Sequence, residues 1–195
     1  MPNYKPITDF DLTFDLLGFN RLHDFAFLAM QDYNLNHKSD WYGHFRNGER
    51  GLQARLFGVT KHYGELHSWK PSKRDAEEMD YHLASILFGM DSAMECYFYM
   101  LNALGWAAKP DWFADISNDK SLRAIKPANI WDMTTESPAA GYAAVFPAVQ
   151  KLWQNNRWLI EFLIDQRDVS KHRHATIHGS ALRSLDWYYG TQIFD

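Results

Sequence analysis

Between Met79 and Leu104 the residues Met79, Leu83, Ile86, Leu87, Met90, Met94, Tyr97, Phe98, Leu101 and Leu104 recur every three or four positions. Only an α-helix gathers that spacing onto one side, because each residue advances about 100° around the axis. A stripe of roughly seven turns cannot be hidden by the helix that carries it, so further helices must pack around it. Before the run, "KPSKRDAEE" places Ser72 and Asp75 in a capping pattern. After it, Gly105 is a natural stop.

A second long helix is expected to start near Ser137-Pro138 or Pro147 and to continue toward Arg167. It carries Val149, Leu152, Leu159 and Leu163 on one face and should lie antiparallel to the first. The stretch between them, "GWAAKPDWFADISNDKSLRAIKPANIWDMTTESP", holds three prolines and scattered Asp, Asn and Ser, which reads as loop with short helical turns. Upstream, "DLTFDLLGFNRLHDFAFLAM" and "NGERGLQARLFGVTKHYGEL" are the candidate helices. No repeat is visible, and Gly and Pro are too sparse for a many-turned β protein. A chain of 195 residues with 46% hydrophobic content can bury one core. These features predict a single all-α domain over residues 1–195, with residues 1–70 as an N-terminal helical extension and 71–180 as the core bundle. The eight tryptophans and thirteen phenylalanines are assigned to packing rather than to base stacking.

The lone Cys96 excludes an internal disulfide and any multi-cysteine metal site, and fits a reducing cytoplasm. The start "MPNYKPITDF" lacks the pattern of a secretory leader, and no apolar run reaches the roughly 20 residues of a membrane span. A cytoplasmic protein without membrane attachment is expected. The net charge of −4 gives no chain-wide basic character, so any anion site must be local.

One segment is locally basic. "RDVSKHRHATIHG", Arg167 to Gly179, holds three histidines, two arginines and a lysine. On a continuous helix Arg167, Lys171, His174 and His178 share a face, and His172 lies well around the cylinder from Arg167. A kink, or a helix start inside the segment, would bring Arg167 and His172 together instead. Guanidinium and imidazole on one phosphate suit RNA cleavage without metal: the neutral imidazole takes the 2′-hydroxyl proton and arginine braces the charge at phosphorus.

At these residues the chain resembles the HEPN domains of prokaryotic toxins and defence proteins. Their signature is Arg followed by a polar residue, with His after four to six positions on a late helix. "RDVSKH" has four between Arg167 and His172, and Arg167 to His174 has six. The helix "EMDYHLASILFGMDSAMECYFYMLNALGW" is similar to the long helix of such domains. The resemblance covers roughly 75–180 and implies an antiparallel bundle. It further implies a homodimer with two motif helices across a shared groove, RNA or a nucleotide as ligand, no cofactor, and an antitoxin or regulatory protein as a possible partner. Arg167, His172 and His174 are then the candidate catalytic residues of an endoribonuclease, with Lys171 and Arg173 as substrate contacts. "RHATIH", Arg173 to His178, satisfies the same pattern, so the register stays open.

Two other readings compete. "HATIH" sets His174 and His178 at i and i+4, the spacing that shows two imidazoles to one ion, and "HGSALRSL" resembles the final helix of DinB-like metal-binding bundles. In that reading His82, or His67, supplies the third ligand, although His82 equally suits a hydrogen-bonded core position. His178 before Gly179 also suits a cation near a helix C-terminus, and His62 and His67 read as surface residues. The third reading is a non-enzymatic dimeric interaction module. Glu95, among Met94, Cys96 and Tyr97, is then either solvated at the edge of an apolar face or buried against an arginine.

Overall fold

The computed structural model describes residues 16–31, 40–68, 76–130 and 136–172, and every regular element among them is helical. The fold is all-α. Helix α1 spans Leu16–Gln31, α2 Trp41–His67 and α3 Ala76–Ala108. A 3₁₀ turn at Pro110–Trp112, the one-turn α4 at Asp119–Leu122 and a second 3₁₀ turn at Pro127–Ile130 lead to α5 (Glu136–Val145), α6 (Pro147–Asn155) and α7 (Arg157–His172).

The long apolar run does form the central helix, and it has two buried stripes. Leu83, Leu87, Met94, Phe98 and Leu101 belong to a core shared with Phe113, Ile130, Tyr142, Ile160 and Leu163. Ala93, Met100, Ala103, Leu104 and Ala107 belong to a second core with Ala26, Trp41, Phe45 and Leu52. The first stripe advances by steps of three, four or seven residues, and in the second Ala93, Met100, Ala103 and Ala107 step by seven, three and four with Leu104 beside Ala103, so each follows one side of the helix. α3 is therefore the shared wall of two cores.

Against the second core lies α2, opened by Asp40, whose side chain accepts from the Gly43 amide at 3.1 Å. Its buried residues Trp41, Phe45, Gly48, Glu49 and Leu52 fall at helical spacing. Successive cross-links join 44 to 99, 55 to 92 and 62 to 82, so α2 and α3 run antiparallel. A Cβ on Gly48 would stand 2.9 Å from the Met100 Cβ and backbone nitrogen; glycine is what allows the two backbones to approach there. The stretch read from sequence as an N-terminal extension thus contributes one helix of the main pair. α1 covers its open side through Ala26, and His23 reaches the buried Glu49, which Arg46 also holds.

The expected second long helix is instead three pieces. Phe146, with φ −128° and ψ 55°, leaves the helical region because the ring of Pro147 crowds the residue before it. The second break is at Asn156, where φ is −113° and the amide bonds back to Leu152 and Trp153. Leu152 is exposed, contrary to the single-helix expectation, while Leu163 is buried. Nor does Gly105 stop α3, which continues to Ala108. Gly105 serves packing: a Cβ there would meet the Phe113 ring at 2.4 Å. Ser72 and Asp75 lie outside the described residues.

Candidate functional site

A groove of about 530 Å³ opens where α2, α3 and the α4 turn meet, lined by Asn47, Gly51, Arg55, Ser92, Glu95, Cys96, Tyr99 and Arg123 among others. Its floor follows from the close helix pair. Gly51 leaves room beneath Cys96, whose Sγ would be 2.8 Å from a Cβ at position 51.

Arg55 crosses from α2 to α3. Its Nε donates to Ser92 Oγ at 2.6 Å, and one terminal nitrogen donates to the Gly51 carbonyl at 3.3 Å. Those two bonds hold the guanidinium across the helix pair and leave the rest of its five donors available at the groove. Arg123 joins the lining through local chemistry. Asn118 caps α4 by accepting from the Lys120 amide at 2.9 Å, and the Arg123 amide bonds the Asp119 carbonyl at 3.3 Å. Leu122 packs on one core and Ile125 on the other, so Arg123 between them is left exposed at the lip. Asn102 holds the preceding loop with a paired clasp, donating to the Ala114 carbonyl at 2.8 Å and accepting from its amide at 3.0 Å.

Tyr99 makes a 2.5 Å hydrogen bond to His44 Nδ1. Burial, followed by the charge of Asp119, pushes its phenol above the usual tyrosine range. Burial also raises the Cys96 thiol, Arg55 pulls it down and Glu95 pushes it up, with a net rise. The thiol is then protonated at neutral pH, which argues against a nucleophilic role. Glu95 is solvated on the groove wall, the first of its two sequence readings. Among the lining residues two arginines stand against one glutamate, with Asp119 close enough to act on Tyr99.

Arg167, Lys171 and His172 occupy the last two turns of α7; Arg173, His174 and His178 lie outside the described residues. The helix is unbroken through His172, so positions 167 and 172 stand about 140° apart around the axis. No kink brings them together on one face. His82 has a partner that sequence reasoning missed: its Nδ1 lies 2.9 Å from Nδ1 of His62, which is half-buried and not a free surface residue. His67 lies tilted against Tyr63, with ring centroids 6.1 Å apart. Among the described residues no group of three or more His, Cys, Asp or Glu is placed to hold a metal, and no helix is long and apolar enough to cross a membrane.

No sequence motif marks Arg55, Ser92, Tyr99 or Arg123, which come from three elements. The nearest signal was the Gly48 and Gly51 pair in α2, the mark of a helix that must be approached closely. Comparisons with protein-family models, with curated proteins and with solved structures find no match.

Proposed function

We propose that this chain binds a phosphorylated nucleotide, free or as one unit of an RNA strand, in the groove between α2, α3 and the α4 turn. The observation that carries the reading is that Arg55 and Arg123, from different elements, line one cleft with Ser92 and Asn47. Guanidinium forks recognise phosphate oxygens in pairs. Glu95 on the same wall offers an acceptor for ribose hydroxyls or an exocyclic amine, and the volume suits one nucleotide.

The test is calorimetric titration with adenosine and uridine monophosphates and with a short single-stranded RNA. Arg55→Ala and Arg123→Ala should each weaken binding roughly 10- to 100-fold, the value of a lost charged hydrogen bond. Binding should also fall as salt rises. No heat at millimolar nucleotide, or unchanged affinity in both variants, refutes the assignment.

The HEPN-like resemblance supports a further step at the end of α7, metal-independent RNA cleavage with Arg167 as phosphate brace and His172 or His174 as proton acceptor. Because α7 stays helical through His172, an Arg167–His172 pair would have to be composed from two copies across a dimer groove. A pair within one chain would use His174. Single-stranded RNA should be cut in the presence of chelator and matching DNA spared, since the 2′-hydroxyl is the nucleophile. The alanine variant of whichever histidine acts should lose roughly 10²- to 10⁴-fold in rate. RNA left intact across a broad pool at high protein concentration removes the cleavage step and leaves the groove proposal standing.

A further inference from the structure

The far end of the α2–α3 pair carries a cluster that the groove does not use. His62 in α2 and His82 in α3 turn their Nδ1 atoms toward each other at 2.9 Å. Tyr81 stands edge-on to both rings, with centroids 5.6 Å from His62 and 5.2 Å from His82, which narrows the rotamers open to each imidazole. Glu78, one turn before His82, sets Oε1 3.9 Å from the opposite nitrogen, Nε2. Two facing nitrogens need one proton between them. The Glu78 carboxylate favours the proton of His82 on Nε2, so His82 Nδ1 is the acceptor and His62 Nδ1 the donor.

We propose that His62 and His82 form a two-histidine site for a divalent transition metal of the zinc, nickel or copper type, clamping the C-terminal end of α2 to the start of α3. Imidazole is a preferred ligand for these ions. On a tetrahedral ion with bonds of about 2.0–2.1 Å, two ligand nitrogens lie about 3.3 Å apart, so the pair need open by only a few tenths of an ångström. The ion requires a lone pair on each Nδ1. His82 already presents one, and His62 supplies the other by carrying its proton on Nε2 instead. Both rings stay neutral and no proton is released. Glu78 then accepts from His82 Nε2–H, the carboxylate–histidine arrangement that orients metal-binding imidazoles. Water or an external ligand fills the remaining coordination positions.

Thermal unfolding of the full chain with and without added zinc tests the site. Zinc at about 100 times its Kd should raise Tm by on the order of 5 °C. That rise should vanish in His62→Ala and in His82→Ala, and Glu78→Gln should weaken zinc affinity by roughly 10- to 100-fold. Cobalt(II) should give a visible absorption band that neither histidine variant shows, a readout that folding alone cannot mimic; His62→Gln and His82→Gln serve if the alanine variants unfold. A doubly substituted His174→Ala, His178→Ala chain should keep the whole response. The site is disproved by a parent protein indifferent to zinc, by a shift that survives both the His62 and His82 changes, or by one that disappears with the His174 and His178 pair.

Discussion

The side of α3 that faces α2 adds polar side-chain links to its apolar core, whereas the side that faces α5, α6 and α7 is joined by aromatic rings. Toward α2 the links are His44 to Tyr99, Arg55 to Ser92 and His62 to His82, with Glu49 buried between Arg46 and His23 at the α1 junction. Toward the other side Tyr97 and Phe98 meet Trp153, while Tyr142 meets Phe98, Phe113 and Phe146, all with centroids within 6.1 Å. The aromatic side gains its energy from area and shape. The polar side has donors and acceptors left over at its edges. Both the groove lined by Arg55 and Arg123 and the histidine pair fall on that polar side.

The contrast can be broken most severely at Phe98, which is 0% exposed. Phe98→Ala should cost about 3–5 kcal/mol, read as a lower midpoint in urea unfolding. On the polar side the largest effect belongs to Arg46→Met, which strands a carboxylate only 3% exposed with the His23 ring left beside it. A loss of about 2–4 kcal/mol is expected there. A change below about 1 kcal/mol would mean that Glu49 is solvated more freely than its burial suggests.

Next comes the spacing of the polar pair. Gly48→Ala forces a methyl against Met100 and should cost about 1–3 kcal/mol by overpacking. Alkali should attack the aromatic side in turn. Burial raises the Tyr142 phenol far above the ordinary value near 10, with a smaller contribution from Tyr97. The folded state thus binds that proton more tightly than the unfolded state does. Its contribution is complete below the unfolded value and is lost as pH climbs above about 10, amounting to roughly 1 kcal/mol by pH 11. Tyr142→Phe should flatten that decline in a series of unfolding curves. The smallest effect is a gain: a Cβ on Gly58, in α2, would meet nothing within 4 Å, so Gly58→Ala should stabilise by about 0.5–1 kcal/mol.

How much could be read in advance differs along the chain. The α3 stripe was legible because the spacing of Leu83 through Leu104 leaves one backbone conformation able to bury it. Its division between two cores was not, since periodicity shows that residues share a side and never which neighbour covers them. Pro147 reads as a helix start and is one, yet the break it makes in the run toward Arg167 is invisible in the apolar spacing, which continues on both sides of it. The basic cluster near Arg167 drew attention because its residues are adjacent in sequence. Arg55, Ser92 and Arg123 drew none, since they meet only after α2 has folded back along α3 and the α4 turn has closed over them.

By itself, then, the sequence determined the helical class, the central helix and the existence of α1 and α2, all of which follow from local spacing. Tertiary structure alone decided that α2 is the main partner of α3, that His62 finds His82 and that two distant arginines border one groove. Those facts depend on side chains far apart in the chain, and no local period encodes which of them will meet.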